Sequence, residues 1–287
     1  MLFLQSAPHP SLHRYIGQYN YVSFNTALLP SLKQTFLPYD IPAISVFIGP
    51  VFLEHAKQSV TGPIATTKSQ PTFAYFNALI TGPFSLFFPE NANISVFVIP
   101  FKPSGFSALF NRDMAELTNN LPNLSALVGA SESDRFLDQL LTAKEFQAQI
   151  TVLDQFFLKK IAPQSLVFEQ IREACHQLIL ANGQMKMKEL AFQTNMSLRT
   201  LERQFTERIG VSPKLFARFK RLHKALALMN RPLPPTWIDI AYQCGYYDQA
   251  HFIREFKTFS DQSPSAYCPE EYLLYNQIIL SRNFASF

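Results

Sequence analysis

The stretch Ile240-Ala241-Tyr242-Gln243-Cys244-Gly245-Tyr246-Tyr247-Asp248-Gln249-Ala250-His251-Phe252-Ile253-Arg254-Glu255-Phe256-Lys257 reads as a short helix, a tight turn and a longer helix. A second copy lies upstream, from Glu189-Leu190-Ala191-Phe192 through Ser197 to Leu201-Glu202-Arg203-Gln204-Phe205. Ala191 matches Ala241, Leu201 matches Phe252, Arg203 matches Arg254 and Phe205 matches Phe256; Ser212-Pro213 then matches Ser263-Pro264. The offset is 50 residues before the turn and 51 after it, so the second turn carries one extra residue. Two copies of one supersecondary unit, rather than an array, organise Lys188–Tyr267.

Each longer helix has a natural start signal. Ser197 and Asp248 are placed to accept hydrogen bonds from the first backbone amides. With Leu201 and Phe205 facing a core, Leu198, Arg199, Glu202 and Arg203 fall on the outer face of the first helix. In the second, Phe252, Phe256 and Phe259 point inward, and Gln249, Ala250, His251, Ile253, Arg254 and Lys257 occupy or border the outer face. Long polar side chains near a helix start suit entry into the major groove, where Arg bonds guanine bidentately and Gln bonds adenine. The competing reading is an amphipathic helix with a charged solvent face. Tyr246-Tyr247 is expected to pack in the turn. The joining helix, about Pro213 to Met229, puts Leu215, Phe219, Leu222, Leu226 and Met229 on one side. Lys214, Arg218, Lys220, Arg221 and Lys224 line the rest; Lys214, Arg218, Lys220 and Lys224 are the candidates for phosphate contact, against a structural ion pair or plain solvation at each.

Charge supports a polyanionic partner. Of the 25 Lys+Arg and 21 Asp+Glu, residues 1–163 hold ten of each, so the whole net +4 falls in residues 164–287. Within Lys186–Lys224 ten basic residues face three acidic ones. At 47% hydrophobic and 16% charged, the 287 residues have ample material for packed cores. Cys175, Cys244 and Cys268 show no disulfide or metal spacing, which argues for a reducing compartment. No secretory signal is visible and the apolar runs are too short to span a bilayer, so a cytoplasmic protein without a membrane partner is expected.

The first half has a different rhythm. Tyr19–Phe24, Ala43–Ile48, Val51–His55, Phe73–Ile80, Phe84–Phe88 and Asn93–Phe101 are short apolar, β-branched runs divided by turns such as Gly49-Pro50 and Thr81-Gly82-Pro83. They predict an antiparallel barrel or sandwich. Runs apolar on both faces, such as Ile94-Ser95-Val96-Phe97-Val98-Ile99, require cover on both sides. After Phe101 the period lengthens: Phe106, Leu109, Phe110, Met114 and Leu117 mark one helix face, and a second helix is predicted to begin at Ser131 or Ser133. Phe146, Ile150, Leu153 and Phe157 form a stripe that fits either core packing or a dimer seam. His9 and His13 stand four apart, but no carboxylate or cysteine at metal spacing accompanies them. No phosphate loop, nucleophile elbow or Cys/His dyad stands out, so no catalytic residue, metal or cofactor is assigned. Pro163-Gln164-Ser165 divides the halves at 163/164, with Ser165 capping a helix over Leu166–Leu180 that ends at Asn182-Gly183.

On these residues, 184–268 resemble the double helix-turn-helix DNA-binding domain of AraC/XylS-type bacterial transcription regulators. The second unit carries the signature from Ile240 to Lys257 with Ser263-Pro264-Ser265-Ala266-Tyr267; the first matches through Leu190-Ala191, Ser197, Leu201, Arg203, Phe205, Gly210, Ser212-Pro213 and Arg221-Leu222. The sequence departs at Asp261, where glycine is usual, at Cys268, where Arg is common, and at Lys186, where Ser or Thr often caps. The resemblance implies base contacts by Arg199, Glu202, Arg203, Gln249, Ala250, His251, Ile253 and Arg254. More weakly, His9-Pro10-Ser11-Leu12, Tyr15-Ile16 and Phe101-Lys102-Pro103-Ser104-Gly105-Phe106 resemble an uncharacterised β-rich domain found before such units.

The expected fold class is therefore α+β. An antiparallel, barrel-like N-terminal domain with flanking helices (1–163) precedes an all-α domain (164–287) of two helix-turn-helix units joined by a linking helix. The implied function is sequence-specific transcription regulation, not enzymatic, with the N-terminal domain sensing an effector or dimerising. Double-stranded DNA is the implied partner, with RNA polymerase, a small-molecule effector and a second copy of the chain as further ones. The alternative is an enzyme or small-molecule-binding module with an auxiliary DNA-binding domain; its marker would be clustered titratable residues in the first half, and none is seen. An interaction protein without salt-dependent DNA affinity is a third reading.

Overall fold

The computed structural model describes residues 1–49, the backbone of 52–55, and 72–276. Eight antiparallel strands form two sheets among the described residues. The larger has the order β1-β2-β8-β4-β6, from β1 (Leu2–Ser6), β2 (Tyr19–Asn25), β4 (Ala43–Ile48), β6 (Thr72–Asn77) and β8 (Asn93–Pro100). The smaller has the order β3-β7-β5, from β3 (Lys33–Phe36), β5 (Phe52–His55) and β7 (Phe84–Phe87). Val51, the predicted start of one strand, lies outside the described residues.

The apolar strands are covered on both faces, and alternation decides which side chain goes where. Val96 and Val98 join Val22, Phe47 and Tyr75 in the core shared with Phe36, Phe84 and Leu86 of the smaller sheet. Phe97 and Ile99, one residue out of phase, join Ile44, Val46 and Phe76 under a layer of helices. That layer holds α1 (Gly105–Phe110), α2 (Met114–Leu117), α3 (Leu124–Val128), α4 (Ala130–Thr142) and α5 (Phe146–Leu158). Phe106 stacks on Phe76 with ring centroids 3.6 Å apart, fixing α1 to the sheet.

Two sequence expectations change here, and one open choice is decided. The single helix read from Phe106 to Leu117 is two, because Asn111 takes a left-handed conformation (φ 49°) and Asp113 caps a fresh start by accepting from Ala115 N. The helix expected at Ser131 or Ser133 begins at Ala130 after Gly129, so neither serine caps it. The Ile150, Leu153 and Phe157 stripe is core, since all three are buried against the sheet and neighbouring helices. β1 and β3 were not anticipated.

Helix α6 (Leu166–Leu180), capped by Ser165, spans the two halves: Phe168 packs with the helical layer, while Ile171 and Cys175 pack in the core of the C-terminal helices. Then come α7 (Met187–Gln193), α8 (Leu198–Ile209), α9 (Pro213–Met229), α10 (Trp237–Gln243), α11 (Gln249–Ser260) and a short turn, α12 (Leu273–Tyr275). Gly183 (φ 72°) is required where α6 ends, because a Cβ there would stand 2.0 Å from the Ala217 carbonyl oxygen of α9.

The helical half is seated on the sheets by specific polar contacts. Asp40, between β3 and β4, is buried and paired with Lys220 of α9; the Asp40 Oδ1 lies 3.2 Å from His223 Nδ1, and His223 Nε2 lies 2.9 Å from the Pro38 carbonyl oxygen. Gln34, fully buried in β3, accepts from Leu274 N (3.0 Å) and donates to the carbonyls of Ser31 (2.9 Å) and Glu270 (3.2 Å). Thr118 donates to the carbonyl of Gly210 at 2.7 Å.

Candidate nucleic-acid interface

The repeat read from the sequence is a repeat of backbone geometry. Asn195 (φ 53°) and Gly245 (φ 74°), 50 residues apart, both take the left-handed conformation that turns the chain after a short helix. Met196 N donates to Ala191 O, and Tyr246 N to Ala241 O, each at 2.9 Å. The longer helices start as expected: Ser197 accepts from Thr200 N at 3.1 Å and Asp248 from His251 N at 2.6 Å. Ser212 caps α9 and Thr236 caps α10. Lys186, the counterpart of Thr236, offers α7 no side-chain cap.

Helix α8 buries Leu201, Gln204, Phe205 and Ile209 and leaves Leu198, Arg199, Glu202 and Arg203 exposed. Helix α11 buries Phe252, Glu255, Phe256 and Phe259 and exposes Ala250, Arg254 and Lys257. Gln249, His251 and Ile253 are half-buried beside them. Arg199, Arg203, Lys214, Arg254 and Lys257 make no ion pair among the described residues, so each has its charge available to an incoming anion.

His251 is less available. Its Nδ1 accepts from Tyr247 N at 3.3 Å, its ring stands edge-on to Tyr246, and its Nε2 lies 3.8 Å from Glu255. Tyr246 and Tyr247 separate sharply. Tyr246 is buried, while Tyr247, within the turn that carries the extra residue, is 92% exposed, correcting the expectation that both pack. A phenol here stands beside the start of α11 and can donate to a phosphate. The one-residue insertion was the signal that could have singled it out.

The linking helix departs most from expectation. Lys214 is exposed. Arg218 instead donates through Nε to Glu255 at 3.0 Å and lies over the Phe259 ring at 4.7 Å. Arg221 reaches the same Glu255 at 3.4 Å and donates to the Gly183 carbonyl at 3.1 Å. Lys224 donates to the Gln243 carbonyl at the C-terminus of α10 (2.5 Å), where a cation is favoured by the helix dipole. The phosphate contact expected at Lys220 is corrected by its pairing with the buried Asp40. Arg218, Arg221 and Lys224 hold the two units in one orientation. Glu255 is central to this: buried and bonded to two arginines of α9, it fixes the angle of α11.

His9 and His13 are used locally, His9 accepting from Ser11 N and His13 facing the Pro8 carbonyl. Burial pushes the Cys244 thiol up to about 11. Among the described residues no group of three or more His, Cys, Asp or Glu could hold a metal, and no helix is long and apolar enough to cross a membrane.

Residues 190–268 match the family model described as a helix-turn-helix domain, and residues 4–122 match a domain of unknown function, DUF6597. The HTH-type transcriptional activator RhaS of Klebsiella pneumoniae (strain 342) is 39% identical over 77 residues, 27% of each chain. RhaS of Escherichia coli O139:H28 is 40% identical over 75 residues, covering 26% of this chain and 27% of that protein. The chain thus spans about a quarter of the length of the curated relatives it matches. Among solved structures, ToxT of Vibrio cholerae O395, bound to (E)-4-(8-methylnaphthalen-1-yl)but-3-enoic acid, aligns with a TM-score of 0.45 and 15% identity, over 88% of this chain and 99% of that one. Another ToxT structure from Vibrio cholerae gives 0.44 and 16%, over 90% and 98%. Residues 190–268 thus form a helix-turn-helix domain.

Proposed function

We propose that the chain is a cytoplasmic, sequence-specific DNA-binding transcription regulator, not an enzyme, with residues 164–287 as its DNA-binding domain and residues 1–163 as its regulatory one. The observation that carries this is the paired presentation of α8 and α11. Both are capped at their starts, both lie on one packed unit, and both expose arginines that make no ion pair among the described residues. Arg199, Glu202 and Arg203 read one major-groove segment; Gln249, Ala250, Ile253 and Arg254 read the next, with Lys257, Lys214 and Tyr247 on phosphate. Arg218 and Lys224 act indirectly, by holding the units together, Lys220 ties α9 to Asp40 of the sheet domain, and His251 shapes the turn. RNA polymerase is the expected downstream partner.

The N-terminal half acts as a sensor in this reading. Its core contains an apolar cavity between the two sheets, and Leu274 of the helical half forms part of the wall. A second copy of the chain remains a proposed partner, by a surface other than the buried α5 stripe.

The test is recovery of bound fragments from sheared genomic DNA of the source organism. Two recognition helices on one unit predict enriched fragments sharing two short conserved blocks, centred about one helical turn (~10 bp) apart. Fragments with no common blocks would contradict sequence-specific reading by the pair.

A further inference from the structure

A bare sheet edge is a row of unpaired backbone donors and acceptors, open to another strand. β6, at one end of the larger sheet, is covered by the segment before α3. Phe76 N donates to the Pro122 carbonyl at 2.9 Å, and Tyr75 forms a bridge with Asn123. β3, at one end of the smaller sheet, lies against α12 and the Pro269–Tyr272 turn. β1 stands at the other end of the larger sheet. Among the described residues it pairs with β2 alone, Leu2–Ser6 against Tyr19–Ser23 without a break in register.

Exposed edges are ordinarily guarded by a charge, a proline or a bulge. Leu2-Phe3-Leu4-Gln5-Ser6 has none of the three, and the first Lys, Arg, Asp or Glu of the sequence is Arg14. Leu2 and Phe3 are 51% and 41% exposed. The strand is also complementary to itself. Laid antiparallel on an identical strand with full overlap, Leu4 meets Leu4, Phe3 meets Gln5 and Leu2 meets Ser6, so no like charges oppose and the centre is apolar. Leu2, Leu4 and Ser6 share one face of the pleat, with Phe3 and Gln5 on the other, so both faces continue across the join. A closed two-fold pairing of this kind covers both bare edges at once.

From this we infer that a second copy of the chain pairs with β1 antiparallel, about a two-fold axis at Leu4, joining two five-stranded sheets into one. The inference rests on the reading of a second copy as a partner and names the surface for it. A five-residue strand pair falls short of the ~1,200 Å² of stable interfaces, so the association is weak and concentration-dependent.

The test uses the full chain, followed by sedimentation velocity over about a hundredfold range of concentration. Wild type should move from monomer towards dimer as concentration rises. Leu4→Lys sets two ammonium groups opposite each other across the axis and Leu4→Glu two carboxylates, so each variant alone should dimerise at least about fivefold more weakly. An equimolar mixture of the two should recover the dimer, because an ammonium then faces a carboxylate; damage to the fold would not be repaired by mixing. The register is checked by cysteine crosslinking in a Cys268→Ser background, which removes the one exposed thiol among the described residues. Leu4→Cys should form a disulfide between copies, since facing Cα atoms stand ~4.5–5.5 Å apart. Ser6→Cys should not, its copy lying ~14 Å away. Should the charged variants fail to fold, the two cysteine variants decide alone. A wild type that stays monomeric throughout would overturn the proposal. So would a dimer unaffected by both charged variants, a mixture that does not recover it, or crosslinking through Ser6→Cys in place of Leu4→Cys. The same preparations are assayed on recovered DNA fragments. A monomer that binds DNA sinks this inference alone, whereas a dimer that binds no DNA sinks the reading of α8 and α11.

Discussion

Asp40 sits in the turn between β3 and β4, far in sequence from the helices it anchors. Burial alone would push its carboxyl up, but the Lys220 ammonium and the His223 ring beside it outweigh that and hold it well below the usual carboxylate range. A depressed folded value has a definite sign: the contribution to stability is complete above the unfolded value near ~3.9 and fades as pH falls towards the folded one. Asp40→Asn should therefore cost about 3 kcal/mol near neutral pH, because it leaves Lys220 buried beside a neutral amide. In urea titrations, the gap between variant and wild type should narrow as pH drops below about 4. Equal losses at pH 7 and pH 3 would show that the contact is not electrostatic. The sequence could not disclose this pair. Lys220 looked like any cation on an amphipathic helix, and only the fold brings Asp40 to it. The same holds for Arg218, whose partner Glu255 is 37 residues away on a different helix.

At the scale of elements, the two units differ where the sequence departs from the family pattern. Helix α7 starts at Lys186, with backbone angles (φ −74°, ψ 136°) close to those of the capping Thr236 (φ −64°, ψ 160°) but no side-chain bond. Lys186→Ser should supply the missing acceptor and stabilise the domain by about 1 kcal/mol. Asp261 ends α11 at φ 59°, whereas Gly210 ends α8 at φ 98°. Asp261→Gly should relieve the left-handed strain and add about 0.5–1 kcal/mol. Thermal unfolding of both variants checks these values; destabilisation by either would show that its native side chain has a role the backbone geometry does not reveal. The helix-turn-helix elements were legible because caps, turns and core positions recur at a fixed offset. β1 and β3 were not: Lys33-Gln34-Thr35-Phe36 lacks a clear apolar alternation, and Gln34 is buried with partners that include Glu270 and Leu274, more than 230 residues away.

The whole molecule joins a two-sheet domain to a pair of helix-turn-helix units through one continuous apolar core and a few buried polar ties. The sequence disclosed the two halves, the two-faced strands and the outward arginines of α8 and α11. It could not divide the basic residues of α9 between DNA and scaffold, since that depends on which face each unit and the sheets cover. Nor did it show the cavity, which is a property of two packed sheets. Because α8 and α11 are held at a fixed angle through Glu255, Arg218 and Arg221, they should act on DNA as one body. The most direct measurement is a fluorescence-anisotropy titration of a recovered fragment with wild type and the Arg203→Ala plus Arg254→Ala protein, across a salt series. Wild-type affinity should fall steeply with salt, and the double variant should bind at least about thirtyfold more weakly, the loss of two arginine contacts worth ~1–3 kcal/mol each. A double variant that binds as tightly as wild type, or wild-type binding that is flat across salt, would contradict the account.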